Sequence, residues 1–512
     1  MFKSIAFSLL GLAQIYALPV RAQLEDLPTL HDTLYSAILK EKRPLEIVLP
    51  ASYKPGESEQ YDVLYTTDGE YTTKIVSSFA QFLSIQFIKE NIVVSIPNTS
   101  TGEQRHRERD MLPTHAEGVP ESGGAANFLA FIKEELMPYI NRKYRVSGVN
   151  TLYGSSYAGV FTMFAFLKEP QLFQTYLLAD PAFHWDHQYM ITLAKQMLPS
   201  LPVTHTSLLI TGREGDPLQY MGVASIDSVL REKAPAGLRW KVNVYSDETH
   251  NSMIFRTVYD GLKFTYAGYS TDPVNFYPAN GIVLKDRPLK VICGSELKRD
   301  LHYTTDGTEP SSSSPTVDSG RILLTGPGTL AIKAVCNLEK YSQKSVTGIF
   351  KAGESLPSSP KPKNALSGSW SYSYYEGSWD SLPAFQKIKP AKTGLTDSSF
   401  ALDKLPRQNN FACVQEGWLE IKEDGYYLFG LNCSGGARLI LDRQKVIDYN
   451  GLHKNGRFQT YTLPLLKGFY PFRLEYFLKE GKPDLQFVYI APGKNDADPI
   501  AADLQYHSRN AR

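Results

Sequence analysis

The sequence predicts a multidomain chain: an α/β domain with a mainly parallel sheet and helices on both faces, followed by two all-β sandwich domains. Three observations predict this. Short apolar runs alternate with helical periodicity as far as about residue 268. From there, short strands and turn residues replace any helical pattern. A Pro- and Ser-rich stretch, residues 353–366, then precedes a second set of alternating short strands. A length of 512 residues agrees, because one core stops growing near about 250–300 residues. The expected domains are 23–268, 269–352 and 367–512, with 353–366 as a semi-extended linker and 1–22 as an export signal.

The elements follow in order. Strands are read at 45–49, 62–65 and 92–96, each a short run rich in β-branched or aromatic residues. Phe128, Leu129, Ile132, Leu136 and Ile140 recur at spacings of three and four, which predicts a helix. A short strand at 151–153 leads into an apolar helix through Phe161 and Phe164. Further strands are read at 176–179, 208–211 and 240–245. Strands alternating with helices imply a mainly parallel sheet covered on both faces. In the second domain, His302-Tyr303-Thr304 runs into the turn Thr305-Asp306-Gly307-Thr308. In the third, 419–421, 427–429, 438–441 and 472–477 alternate.

Charge and the amino terminus bound the function. Lys+Arg is 54 and Asp+Glu is 53, a net charge of +1, so no nucleic-acid partner is expected. Lys3, an apolar stretch from Ile5 to Leu18 and the small-residue pattern Val20-Arg21-Ala22 predict cleavage before Gln23 and a secreted or periplasmic protein. No segment has 18 uninterrupted apolar residues, so no membrane span is expected. Export would favour disulfides. Cys293 with Cys336 and Cys413 with Cys433 are the simplest pairings, each inside one domain.

The chemistry-bearing motif is Gly154-Ser155-Ser156-Tyr157-Ala158-Gly159, between a strand and a helix. A nucleophile elbow needs this context, with small residues two positions either side of the nucleophile. Ser156 is the expected nucleophile, and the Tyr157 N–H the first oxyanion donor. His250, after the last strand of the α/β domain, is the expected base; His184 and His187 follow an earlier strand. The acid is expected on the loop after 208–211, as Glu214 or Asp216. A second oxyanion donor is expected at Glu70 or Tyr71, beside Gly69. Arg107 and Arg109, next to Arg105, are candidates for holding an anionic substrate, and Trp185 for walling the pocket. No metal or organic cofactor is expected.

Together with Leu64-Tyr65-Thr66-Thr67-Asp68-Gly69-Glu70, Arg107–Thr114, Ser122-Gly123-Gly124, Asp180–Asp186 and Glu248–Ser252, these residues resemble the esterase D / enterochelin-esterase-like α/β-hydrolases. The resemblance implies carboxylic ester hydrolysis by a Ser-His-acid triad. Leu301–Pro310 and Thr329–Ala334 resemble the small C-terminal β-domain of chitobiase and β-hexosaminidase enzymes. Tyr374–Trp379, Gly417–Ile421, Gly425–Phe429 and Leu439–Asp442 resemble the protective-antigen fourteen-kDa domain, whose members often bind carbohydrate. The loop 432–436 lacks the paired aspartates that some members use for calcium.

The expected function is that of an exported serine esterase acting on an acetyl or feruloyl ester on or near a polysaccharide, with a carbohydrate ligand for the C-terminal domain. The alternatives are a siderophore tri-ester hydrolase and an inactive hydrolase-fold binding protein.

Overall fold

The computed structural model describes residues 7–8, 27–203, 205–269, 271, 274–294, 300–396, 402, 405–454 and 456–509. The expected export signal therefore lies outside the described residues, save for residues 7 and 8. The chain divides into two compact units, one of Pro19–Asp272 with Cys336–Gln343, the other built largely from Pro273–Val335 and Lys344–Arg512.

The first unit holds an eight-stranded sheet. In chain order its strands are β1 Thr29–Ser36, β2 Glu41–Val48, β3 Tyr61–Thr67, β4 Asn91–Ile96, β5 Val146–Ser155, β6 Thr175–Ala179, β7 Thr206–Arg213 and β8 Leu238–Tyr245. Their spatial order is β1-β2-β4-β3-β5-β6-β7-β8. β2 pairs antiparallel with β1 and β4, and every other pair is parallel. Each residue of β3, β4 and β6 is buried, as central strands with both faces covered require. β1, with the sequence TLHDTLYS and alternating exposure, is the polar edge.

The covering helices include α1 Gly69–Ser84, α2 Tyr157–Lys168, α3 Trp185–Met197, α4 Val223–Lys233 and α5 Met253–Thr265. The helix expected around Phe128–Ile140 forms in three pieces, Ala125–Phe131, a π-turn Ile132–Leu136 and Met137–Lys143. α2 is apolar all round, with every residue from Ala158 to Leu167 buried, because it lies between the sheet and other helices.

The segment Cys336–Gln343 belongs to this unit although the sequence places it in the next domain. It packs at the amino ends of the strands. Tyr341 and Ser147 hydroxyls both donate to Asp62 Oδ1, and Tyr266 donates to Asp62 Oδ2 at 2.6 Å. Lys340 Nζ donates to Ser147 O at 3.1 Å, and Asn337 N–H to Ala267 O at 2.8 Å. Asp62 is 1% exposed, so these donors answer a buried carboxylate that would otherwise be strongly destabilising.

In the second unit the two expected sandwiches share a sheet. Strand Asn280–Leu284 pairs parallel with Val346–Gly353 on one side and with Gln459–Leu465 on the other. The expected linker is ordered against the C-terminal sandwich. Leu356 N–H donates to Pro464 O at 2.8 Å, and Ser359 and Phe469 exchange N–H···O bonds of 3.0 Å. Its prolines remove some donors, yet the residues between them keep theirs and complete a sheet edge.

The four cysteines are free and buried rather than bridged. Cys413 stands opposite Tyr374 and Tyr476 on its neighbouring strands, and Cys433 opposite Leu485. Each thiol is buried in a core, and no two are bonded. Burial pushes the thiols of Cys293, Cys413 and Cys433 up to about 12, and that of Cys336 up to about 11.

Candidate active site

Ser156 occupies a strained turn at the carboxyl end of β5. Its φ is 59 and ψ −119, a conformation that costs a non-glycine residue on the order of 1–3 kcal/mol. The turn is held from both sides: Ser156 N–H donates to Ala179 O at 3.0 Å, and Ser156 O accepts from Val160 at 3.1 Å and Ala182 at 3.2 Å. A Cβ on Gly154 would come within 2.2 Å of Ala158 O, and one on Gly159 within 2.8 Å of Pro181. These glycines are therefore fixed by close approach, whereas Ala158 is simply buried at 0% exposure.

His250 meets Asp180, not Glu214 or Asp216. The imidazole Nδ1–H donates to Asp180 Oδ2 at 2.6 Å. Asp180 follows β6 with φ 42 and is fully buried. Glu214 and Asp216 are exposed. The strand expected to supply the acid supplies a cation instead: Arg213 Nε also donates to Asp180 Oδ2, at 2.6 Å. The expectation failed because Asp180-Pro181 reads as a plain turn after a strand. The signal that could have found it was its place immediately after a buried central strand, two positions along the sheet's carboxyl edge from His250.

His184 lies beside His250, stacked on Tyr220 with ring centroids 4.7 Å apart. Burial, and then the charge on His250, holds its imidazole below the ordinary histidine range. His187 is exposed and sits in a left-handed turn with Asp186 and Gln188.

Tyr157 is the first residue of α2, so its N–H has no partner within the helix. The two candidates for the second oxyanion donor differ. Tyr71 N–H is taken by Asp68 O at 2.9 Å, while Glu70 is in the first turn of α1. The Glu70 carboxylate accepts from Asn98 N at 3.0 Å and Asn98 Nδ2 at 2.8 Å. Gly69 is required by Pro97, whose backbone nitrogen would lie 2.9 Å from a Cβ there.

Arg107 and Arg109 part company. Arg107 grips Asp68 through two bonds of 2.8 Å and lies over the Tyr157 ring, 5.5 Å from its centroid. Tyr157 in turn meets Trp185 edge-on at 5.6 Å, and Trp185 Nε1 donates to Thr114 Oγ1 at 3.0 Å. Arg107, Tyr157 and Trp185 thus form one wall next to Ser156. Arg109 instead bonds Glu41 at 2.8 Å and 3.1 Å and Asp110 at 2.8 Å, in a cluster around Arg43, which is 0% exposed. It is scaffold, because residues two apart on a helical turn face different ways. Arg105 is exposed.

Among the described residues no helix is long and apolar enough to cross a membrane.

Residues 36–201 match the family described as putative esterase, and residues 367–501 match the PA14 domain. The chain is 25% identical over 249 residues to the ferri-bacillibactin esterase BesA of Bacillus subtilis, covering 44% of this chain and 85% of that protein. It is 25% identical over 182 residues to a siderophore enterobactin esterase of Emericella nidulans, covering 32% of this chain and 59% of that one. Among solved structures, an IroE-like serine hydrolase from Shewanella oneidensis is 30% identical, with 46% of this chain and 80% of that chain covered and a TM-score of 0.43. The N-terminal domain therefore belongs to the esterase family, in a chain that carries a PA14 domain towards its C-terminal end.

Proposed function

We propose that the chain is a serine carboxylic ester hydrolase whose substrate is a small siderophore-type ester. The observation that carries it is the strained Ser156 turn, whose N–H bonds the carbonyl of Ala179, next in the chain to the Asp180 that holds His250 at 2.6 Å. Ser156 Oγ attacks the ester carbonyl while His250 Nε2 takes its proton. Asp180 holds the Nδ1–H and stabilises the imidazolium. The N–H groups of Tyr157 and Glu70 receive the oxyanion. His250 returns the proton to the leaving alcohol, leaving Ser156 acylated. Water, deprotonated by the same imidazole, releases the acid and restores the serine.

The curated relatives support a siderophore ester over the polysaccharide ester suggested by the accessory β-domains, since those relatives are named for siderophore hydrolysis. Arg107 supports it too. Two of its nitrogens are held by Asp68, and the third remains to meet an anionic group on the substrate. The PA14 match at 367–501 favours a second reading, an ester carried on a carbohydrate.

The test is turnover of a panel of enterobactin, acetylated xylan, methyl ferulate and p-nitrophenyl acetate by the wild type and Ser156→Ala. Serine-dependent preference for enterobactin supports the first reading, and preference for a sugar-linked ester the second. Activity retained in Ser156→Ala would refute the mechanism.

A further inference from the structure

We propose that Arg213 is a positioning residue for this reaction: it fixes Asp180 through the oxygen that holds His250. The inference rests on the hydrolase reading above.

Two donors meet on one atom. Arg213 Nε and His250 Nδ1 each lie 2.6 Å from Asp180 Oδ2. The other carboxylate oxygen, Oδ1, is buried without a partner. A second, charged donor on the same oxygen restricts the swing of the carboxylate more than the imidazole alone would.

The clamp is built from β6 and β7, which lie between the strand that ends just before Ser156 and the strand that precedes His250. Asp180 N–H donates to Thr211 O at 3.0 Å, and Arg213 ends the same strand β7, in register with Tyr245 of β8. Asp180 is fully buried and the Arg213 side chain is 21% exposed. Water therefore screens their interaction weakly.

Arg213 is also the one of the two partners of Asp180 that stays charged throughout the reaction, so its hold on the carboxylate persists while the imidazole gains and loses its proton. On the loop that carries His250, the Glu248 carboxylate is occupied by Ser252 and Arg256, which leaves Asp180 to orient the imidazole.

The test is the His250 Nδ1–H resonance, followed by NMR on full-length protein with selectively labelled histidines and assigned with His250→Gln, beside steady-state kinetics. Arg213→Gln weakens the hold on Asp180, so it should shift or broaden that resonance and reduce kcat several-fold with KM unchanged. Arg213→Lys keeps a charged donor and should stay near wild type in both. An unchanged resonance and kcat in folded Arg213→Gln overturns the inference, as does a change in KM alone. Should Arg213→Gln not fold, loss of the resonance in Arg213→Lys overturns it and a wild-type resonance supports it. A shifted resonance in an Arg213→Gln protein whose parent hydrolyses no ester would uphold the clamp and refute only the hydrolase reading.

Discussion

Arg107 and Arg109 stand two residues apart on one short helix, yet Arg107 binds Asp68 beside Tyr157 while Arg109 binds Glu41 and Asp110. In sequence they form one basic cluster. In the fold one faces the site and the other braces it. Arg107→Gln should lower kcat/KM for an anionic ester by about 10–100-fold, the worth of one charged hydrogen bond, with little change for p-nitrophenyl acetate. Arg109→Gln should leave both rates unchanged at 25 °C and lower stability by about 1–3 kcal/mol, measured by denaturant unfolding. Equal effects of the two on kcat/KM would contradict this division.

The Arg109 cluster also sets an acid limit. Burial by itself would raise the Glu41 pKa. Hydrogen bonds and charge from Arg109 and Arg43 outweigh it and bring Glu41 from 4.5 down to about 2. The folded value lies below the unfolded one, so this stability is complete above about pH 4.5 and is lost as pH falls toward 2. In Glu41→Gln the unfolding free energy should depend less on pH across that window. Identical pH profiles for wild type and variant would show that the cluster does not titrate in this way.

Tyr341 tests the reassigned segment 336–343. Tyr341→Phe removes a hydroxyl that donates to the buried Asp62. The full-length variant should unfold about 1–2 kcal/mol more easily, with ester hydrolysis unchanged, since Asp62 and Ser156 lie at opposite ends of the strands. A variant as stable as wild type would show that the segment adds nothing to the hydrolase unit.

The thiols give a direct chemical check. All four cysteines are buried and free, with burial pushing their pKa values up to about 11–12. A thiol reagent should find almost none in native protein and four after denaturation without reductant. Fewer than four in the denatured chain would reveal a disulfide.

Much of this architecture was legible because buried parallel strands are written as short apolar runs. The strands expected at 62–65, 92–96, 176–179 and 208–211 all form, with wider bounds. The polar edge strand Thr29–Ser36 was not, since its alternation is blurred by Asp32 and Ser36. The placements of Ser156 and His250 in the fold were legible in the sequence. One sits between a strand and a helix; the other follows the final strand. Asp180 was not, because choosing among Asp180, Glu214 and Asp216 depends on which loop bends toward the imidazole. The disulfides failed for a similar reason: strand parity says which face a thiol shares, but register decides whether two thiols meet.

The central claim is that Asp180 completes the site begun by Ser156 and His250. The most direct measurement is kcat for a serine-dependent ester in Asp180→Asn, beside Glu214→Gln and Asp216→Asn. The account predicts a loss of roughly a thousand- to ten-thousand-fold in Asp180→Asn, because the amide cannot hold the required tautomer, and near-wild-type kcat in the other two. Wild-type kcat in folded Asp180→Asn, or a comparable collapse in Glu214→Gln or Asp216→Asn, would contradict it.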